Sequence, residues 1–254
     1  MTLAHDVAGD GPAVLLLHST VCDRRMWDPQ LPALVAAGYR VACCDLRGYG
    51  ETPVPDGTYD EARDVVDLLD ELSMDRAALV GASGGGRVAL EVAARWPDRV
   101  NSLALLCTAT AEFEPSPELR ACWEREEALL ENGDVAGATE LNVDTWLGPL
   151  ADAATREKVR TMQRHAFEVQ LAASEEAGPR REEYDQSAIT APTLLVTGAH
   201  DLPDFRSIAA DLAARLPGAR LVELDWAGHL PSLERPDIVN GLIVDFLREV
   251  PPAR

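Results

Sequence analysis

Residues 77–86, Ala77-Ala78-Leu79-Val80-Gly81-Ala82-Ser83-Gly84-Gly85-Gly86, pass from an apolar run of strand length into a glycine-flanked serine. Residues 87–96 then continue at helical spacing as far as Pro97. A serine in that position sits on a sharp strand-to-helix turn, with its hydroxyl above the sheet on a strained backbone. Gly81 and Gly85 read as places where a Cβ would collide with the neighbouring chain. Gly84 would offer a backbone N–H at the new helix's N-terminus, where the dipole favours developing negative charge. Ser83 is therefore a candidate acyl-transfer nucleophile. The same letters also fit a glycine-rich turn that cradles a dinucleotide pyrophosphate. With glycines at 81 and 85, however, the third would fall on Arg87, and the turn lies far from the N-terminus. The chain's only lysine, Lys158, also has Ala154 rather than tyrosine four residues before it.

Outward from this turn, short apolar runs bounded by turn residues recur at 13–17, 40–44, 77–80, 102–107, 193–197 and 220–224, each fit for a buried strand. Helical spacing appears at 27–37, stopped by Gly38, and at 59–72, where Val65, Leu68, Leu69 and Leu72 share a face. Strands alternating with helices predict βαβ units and a mostly parallel sheet with right-handed crossovers. The alternation breaks from about 111 to 191. There prolines punctuate helical segments, 118–131 and 151–173 are amphipathic, and no strand is expected. The predicted organisation is a core of residues 1–110 and 191–254, interrupted by a helical lid at 111–190. Residues 251–254 read as a frayed end.

At 254 residues the chain can bury one large α/β core without disulfides or metals. The absence of a long apolar run or a cleavable leader predicts a soluble, cytoplasmic protein. Five cysteines, Cys22, Cys43, Cys44, Cys107 and Cys122, lack metal-ligand spacing and read as reduced packing residues. The formal net charge of −20 argues against nucleic acid and anionic membranes as partners. Residues 112–185 hold 18 acidic and 8 basic side chains, half of the excess, which reads as a well-solvated helical surface.

A serine hydroxyl needs a base to take its proton and an acid to orient that base. Among five histidines, His229 lies in a loop after the strand at 220–224, hence at the carboxyl edge of the sheet. His18 ends the strand at 13–17, His165 falls in a lid helix, His5 is near the N-terminus and His200 precedes Asp201. Asp201 follows the strand at 193–197 and its terminal turn, with Asp204 as the reserve acid. The expected order is then Ser83, Asp201, His229.

Together Leu15-Leu16-Leu17-His18-Ser19, Asp45-Leu46-Arg47-Gly48-Tyr49-Gly50-Glu51-Thr52, Gly81-Ala82-Ser83-Gly84-Gly85, the run from Leu194 to Asp201 and the run from Ala227 to Pro236 resemble the α/β-hydrolase superfamily. They cover the chain outside the lid, and their triad order is the superfamily's. The resemblance implies an α/β-hydrolase fold with about seven strands flanked by helices. Residues 2–8 would match the hairpin partner of a strand that relatives carry before it, and the sheet would lack that first, antiparallel edge strand. It also implies oxyanion-hole N–H groups at Thr20 and Gly84, although many relatives have glycine where this chain has Ser19. Asp45 and Arg47 match a structural turn. Trp27, expected near the oxyanion loop, and Trp123, Trp146, Met162, His165 and Phe167 from the lid are candidate pocket residues. Residues 142–147 and the compact size are similar to 3-oxoadipate enol-lactonases and small aryl esterases.

The expectation is a serine hydrolase acting on a small-molecule carboxylic ester or lactone, with no cofactor and no metal. Ser83 argues against epoxide and halide chemistries, which use aspartate at that position in relatives. A β-diketone carbon–carbon hydrolase, a cofactor-free haloperoxidase or perhydrolase, and a non-catalytic ligand-binding protein of the same fold are the alternatives.

Overall fold

The computed structural model describes residues 2–174 and 177–250, so the expectation for 251–254 lies outside the described residues. In chain order the strands are β1 (His5–Ala8), β2 (Ala13–Leu17), β3 (Arg40–Cys44), β4 (Thr58–Tyr59), β5 (Ala77–Ala82), β6 (Val100–Leu106), β7 (Gly178–Pro179), β8 (Thr193–Gly198) and β9 (Arg220–Leu224). Seven of them form one sheet in the order β1-β3-β2-β5-β6-β8-β9. Strand β1 pairs antiparallel with β3, and every other pairing in that sheet is parallel. All residues of β5 and β8 are buried, which is why these strands read as unbroken apolar runs rather than alternating ones. Strand β9, at the edge, is mostly exposed.

The flanking helices are α1 (Gln30–Ala36), α2 (Glu61–Glu71), α3 (Gly84–Arg95), α7 (Pro203–Arg215) and α9 (Pro236–Glu249). Between β6 and β8 lie α4 (Pro117–Glu131), α5 (Val135–Trp146) and α6 (Ala153–Leu171), and the single-turn α8 (Pro231–Glu234) follows β9. Each of α4 to α6 starts on a side-chain cap. Ser116 accepts from the Leu119 N–H, Asp134 from that of Gly137 and Asp152 from that of Thr155.

Two sequence expectations are corrected. The sheet does not lack an antiparallel edge strand, because residues 5–8 themselves take that place against β3, with His5 opposite Cys44 and Ala8 opposite Val41. A strand buried as fully as β3 needs ladder partners on both sides, and it finds them in β1 and β2. Residues 111–191 are also not free of strand, since β7 makes a two-residue parallel ladder with β4. No helix among the described residues is long and apolar enough to cross a membrane. The parallel strands all end on one edge, where His18, Ser83, Cys107, Asp201 and His229 follow them, and open α/β sheets place their ligands outside that edge.

Candidate active site

Ser83 has φ 51° and ψ −116°, a conformation that costs a non-glycine residue on the order of 1–3 kcal/mol and needs outside support. Support comes from strand β6 and beyond. The Ser83 N–H donates to the Leu106 carbonyl at 3.0 Å, and the Ser83 carbonyl accepts from the N–H groups of Arg87 and Ala109, both at 3.1 Å. A Cβ on Gly81 would come within 2.6 Å of the Gly86 Cα, and one on Gly85 within 2.3 Å of the Leu17 carbonyl oxygen. The turn therefore closes only with glycine at those positions. The Ser83 side chain stands at the start of α3, and the residue is 5% exposed.

Behind the opposite wall, the Asp201 Oδ2 lies 2.8 Å from His229 Nδ1, with both side chains buried. The other Asp201 oxygen accepts from the Leu202 N–H at 2.7 Å, so the carboxylate is held at two points. Asp204, the reserve acid, is engaged elsewhere. It accepts from the Ser116 N–H at 2.7 Å and the Ser116 hydroxyl at 2.8 Å, tying the cap of α4 to the first turn of α7. The His229 ring is gripped by Phe205 and Trp146, with ring centroids 4.2 Å and 4.7 Å away. Its backbone N–H donates to the Trp146 carbonyl at 3.0 Å.

Glu234 supports the same loop. Its carboxylate accepts from the Gly228 N–H at 3.0 Å and the Gly148 N–H at 3.2 Å, and burial pushes its carboxyl above the usual range. Cys107 packs beneath, with its sulfur 3.7 Å from the Gly228 carbonyl oxygen. The donor atoms of Cys107, Asp201 and His229 lie within 4.8 Å of one another. Burial and the Asp201 charge push the Cys107 thiol far up, however, which suits a protonated packing group rather than a thiolate ligand.

The loop after β2 is organised by His18, a role the sequence reading did not assign. The ring is fully buried. Its Nδ1 lies 2.8 Å from the Ser19 carbonyl oxygen, and its Nε2 accepts from the Leu46 N–H at 2.9 Å. That pairing fixes the tautomer protonated at Nδ1 and leaves no place for a second proton, and burial lowers the His18 pKa. Ser19 is also buried. Its N–H donates to Met26 Sδ at 3.3 Å, its carbonyl accepts from the Cys22 N–H at 2.9 Å, and its φ is not positive. The loop path thus does not require the glycine common in relatives. Thr20 makes no hydrogen bond among the described residues. A Cβ on Gly84 would lie 2.5 Å from the Thr20 Cγ2 and 3.9 Å from its backbone nitrogen, which puts Thr20 beside the first N–H of α3.

A cavity of about 220 Å³ is lined by Ser83, His229, Thr20 and Gly84 together. Trp123 and Trp146 contribute to its wall, as do Phe113, Leu119, Phe205 and Ile208, which the sequence reading missed. Four candidates are corrected. Trp27 and Met162 are buried in the hydrophobic core, away from the cavity wall. His165 lines a separate cleft between α6 and the segments around Arg24 and Gly50, where its Nε2 lies 2.9 Å from the Gly50 carbonyl oxygen. Phe167 is buried and also absent from the cavity wall. Asp45 holds a turn. It is fully buried, accepts from the N–H groups of Arg24 and Glu51, and pairs with the Arg24 guanidinium, while Arg47 pairs with Asp64 at 2.6 Å.

A mostly parallel sheet with one antiparallel edge strand, carrying a glycine-flanked serine turn after its fourth-placed strand and an acid–histidine pair on the same edge, defines the α/β-hydrolase fold class. The profile of the alpha/beta hydrolase family matches residues 14–242, and the chain belongs to that family. RutD of Variovorax paradoxus, provisionally named a carbamate hydrolase, is 34% identical over 264 residues, covering 98% of this chain and 97% of its own. The enol-lactonase from Burkholderia xenovorans LB400 superposes with a TM-score of 0.80 at 29% identity, over 97% of this chain and 96% of that one. A thermophilic esterase from Thermogutta terrifontis superposes at 0.79 with 28% identity, over 98% and 93%.

Proposed function

We propose that this hydrolase-family chain is a serine hydrolase that cleaves a small carboxylic ester or lactone through an acyl-enzyme on Ser83. One observation carries the reading. Ser83, held in a strained turn, shares a cavity of about 220 Å³ with His229, whose ring is bonded at 2.8 Å to a buried carboxylate. With Asp201 accepting from Nδ1–H, the Nε2 lone pair of neutral His229 is left for the serine proton. Ser83 Oγ attacks the carbonyl carbon as that proton passes to Nε2, and Asp201 stabilises the imidazolium. The carbonyl oxygen becomes an oxyanion facing the N–H groups of Thr20 and Gly84, and one such donor is typically worth about 10² to 10³ in kcat. Imidazolium then protonates the leaving alcohol. Water, deprotonated by the same histidine, releases the acid and restores Ser83. In a lactone, alcohol and acid leave as one molecule.

In this reading residues 111–190 form a lid over the cavity, and the partner is a small molecule rather than nucleic acid or a membrane. Each step uses protein side chains and water, without a cofactor or metal. The neighbouring enol-lactonase and esterase support ester and lactone chemistry over carbon–carbon cleavage. A fluorophosphonate probe is the direct test. Wild-type protein should be labelled at Ser83 and Ser83→Ala protein should not. Turnover of short 4-nitrophenyl esters and enol-lactones, without turnover of β-diketones, would establish the bond cleaved. An unlabelled wild-type protein that turns over neither ester nor lactone would leave a binding module instead.

A further inference from the structure

The cavity that holds Ser83 and His229 is walled largely by aromatic and aliphatic side chains, yet two arginines, Arg87 and Arg181, line it and, among the described residues, no carboxylate does. In a chain with a net charge of −20, and within the 112–185 stretch where acids outnumber bases 18 to 8, a cation in such a wall needs a reason. Arg87 has one within the fold. It is buried and donates to Glu61 at 2.5 Å, with Glu91 at 3.9 Å. Arg181 has none, since it makes no hydrogen bond or ion pair among the described residues, while its neighbour Arg180 pairs with Glu182 at 2.8 Å.

Arg181 also stands where the active-site cavity meets a second one of about 280 Å³, since Thr20, Arg87 and Arg181 line both. Among the described residues the carboxylate in the wall of that second space is Glu61, already held by Arg87. Among the described residues, a bound molecule thus meets largely apolar walls around the reacting carbonyl and, at the junction, one arginine with no ion-pair partner.

We infer that Arg181 is a specificity-determining residue that selects esters or lactones carrying a carboxylate; this rests on the hydrolysis proposed above. A guanidinium offers a planar fork that fits a carboxylate through two parallel N–H···O bonds. One uncompensated positive charge matches one negative charge, which favours a monoanionic carboxylate over a phosphate dianion. The preference also acts against the negative field of the whole chain, which repels anions, so the local cation decides whether such a substrate is retained.

The test uses two matched pairs of esters. In the first, mono-4-nitrophenyl glutarate is compared with its methyl-capped diester, which keeps the shape and removes the charge. In the second, 4-butanoyloxybenzoate is compared with its methyl ester, which places the charge on the leaving group. Wild-type protein should favour the charged member of at least one pair in kcat/KM. Arg181 is exposed, so Arg181→Gln should lower that charged-to-neutral ratio by about two- to fivefold through KM, the size of an ion pair at an exposed site, and Arg181→Lys should restore part of it. Because the ratio is taken within each variant, a general loss of activity cancels. A wild-type preference for the neutral member in both pairs, or a ratio untouched by Arg181→Gln, overturns the inference. If no ester is cleaved, the proposed function fails on its own. The role of Arg181 is then read by calorimetric titration with monomethyl glutarate, where equal binding by wild type and Arg181→Gln would refute it.

Discussion

Asp201 and Asp204 lie three residues apart at the same strand end, and replacing each with asparagine should separate catalysis from stability. Asp201 is 2.8 Å from His229 Nδ1 in a buried pair. An amide there can present its NH₂ to Nδ1, which shifts the ring proton to Nε2 and removes the lone pair that the proposed mechanism uses to accept the serine proton. In the best-studied serine protease triad that substitution lowers kcat by about 10⁴, equivalent to about 5.5 kcal/mol of barrier, and a comparable loss is expected here. Asp204 instead accepts two hydrogen bonds from Ser116 at 2.7 and 2.8 Å. Asparagine keeps one good acceptor and loses the charge. Replacing charge-assisted bonds of about 1.5–3 kcal/mol with a neutral one of about 0.5–1.5 costs about 1–3 kcal/mol. For a chain of this length that lowers Tm by roughly 2–12 °C, with kcat within about threefold of wild type because the Asp201–His229 pair is untouched. The assay is steady-state turnover of a neutral 4-nitrophenyl ester at saturation, with melting followed by circular dichroism on the same samples. An Asp204→Asn enzyme as slow as Asp201→Asn, or an Asp201→Asn enzyme that keeps a tenth of wild-type kcat, would refute the assignment of the acid.

Ser83→Ala should abolish ester turnover and leave the urea midpoint unchanged or raised, since the strained turn keeps its three backbone hydrogen bonds and accepts the smaller side chain; full activity in the purified variant would remove Ser83 from the mechanism. The lowered pKa of His18 makes a pH prediction. The unfolded chain binds a proton near pH 6.5 that the folded chain excludes by burial, so this stabilisation is present above pH 6.5 and is lost as pH falls below it. The urea midpoint should therefore drop between pH 7.5 and 5.5, with a shallower slope in His18→Gln; identical slopes would show that other groups set the pH dependence. Native protein should resist iodoacetamide at Cys22, Cys44 and Cys107, whose thiols burial pushes up, and mass spectrometry should find any early adduct on half-buried Cys122. Ser19→Gly should lower kcat by about tenfold or less with similar KM, because His18, Cys22 and Met26 already hold the backbone before Thr20; a loss of 10² or more would give the serine hydroxyl a direct role.

What could be read before the structure was whatever rests on neighbours in the chain. The serine turn is decided by Gly81 and Gly85 within a few residues, and the strands that deliver Asp201 and His229 to the sheet edge are continuous apolar runs, so the arrangement at that edge was visible as a linear order. Pairing between distant strands left no such mark. Nothing within residues 5–17 shows that β3 will insert between β1 and β2, since that depends on β3 requiring two partners. Helix α5 was missed as a separate element because Gly137, Thr139, Val143 and Thr145 give it a weak helical signature, leaving only the Asp134 cap to mark it. Part of the pocket wall was misread for a different physical reason. Trp27, Met162 and Phe167 are large apolar residues at helical spacing just as Trp146 is, yet only Trp146 meets the cavity, because how a helix docks decides which of its apolar residues face core or cavity. Asp204 shows what does resolve such cases. As the second residue of α7 it lies on a helix's first turn, where a carboxylate faces the cap of an adjacent helix, whereas Asp201 precedes the helix in the loop that also receives the His229 segment. A candidate acid in a strand-end turn is thus separated from its neighbours by asking which side of the helix start it falls on, and position 201 is the one left facing the histidine.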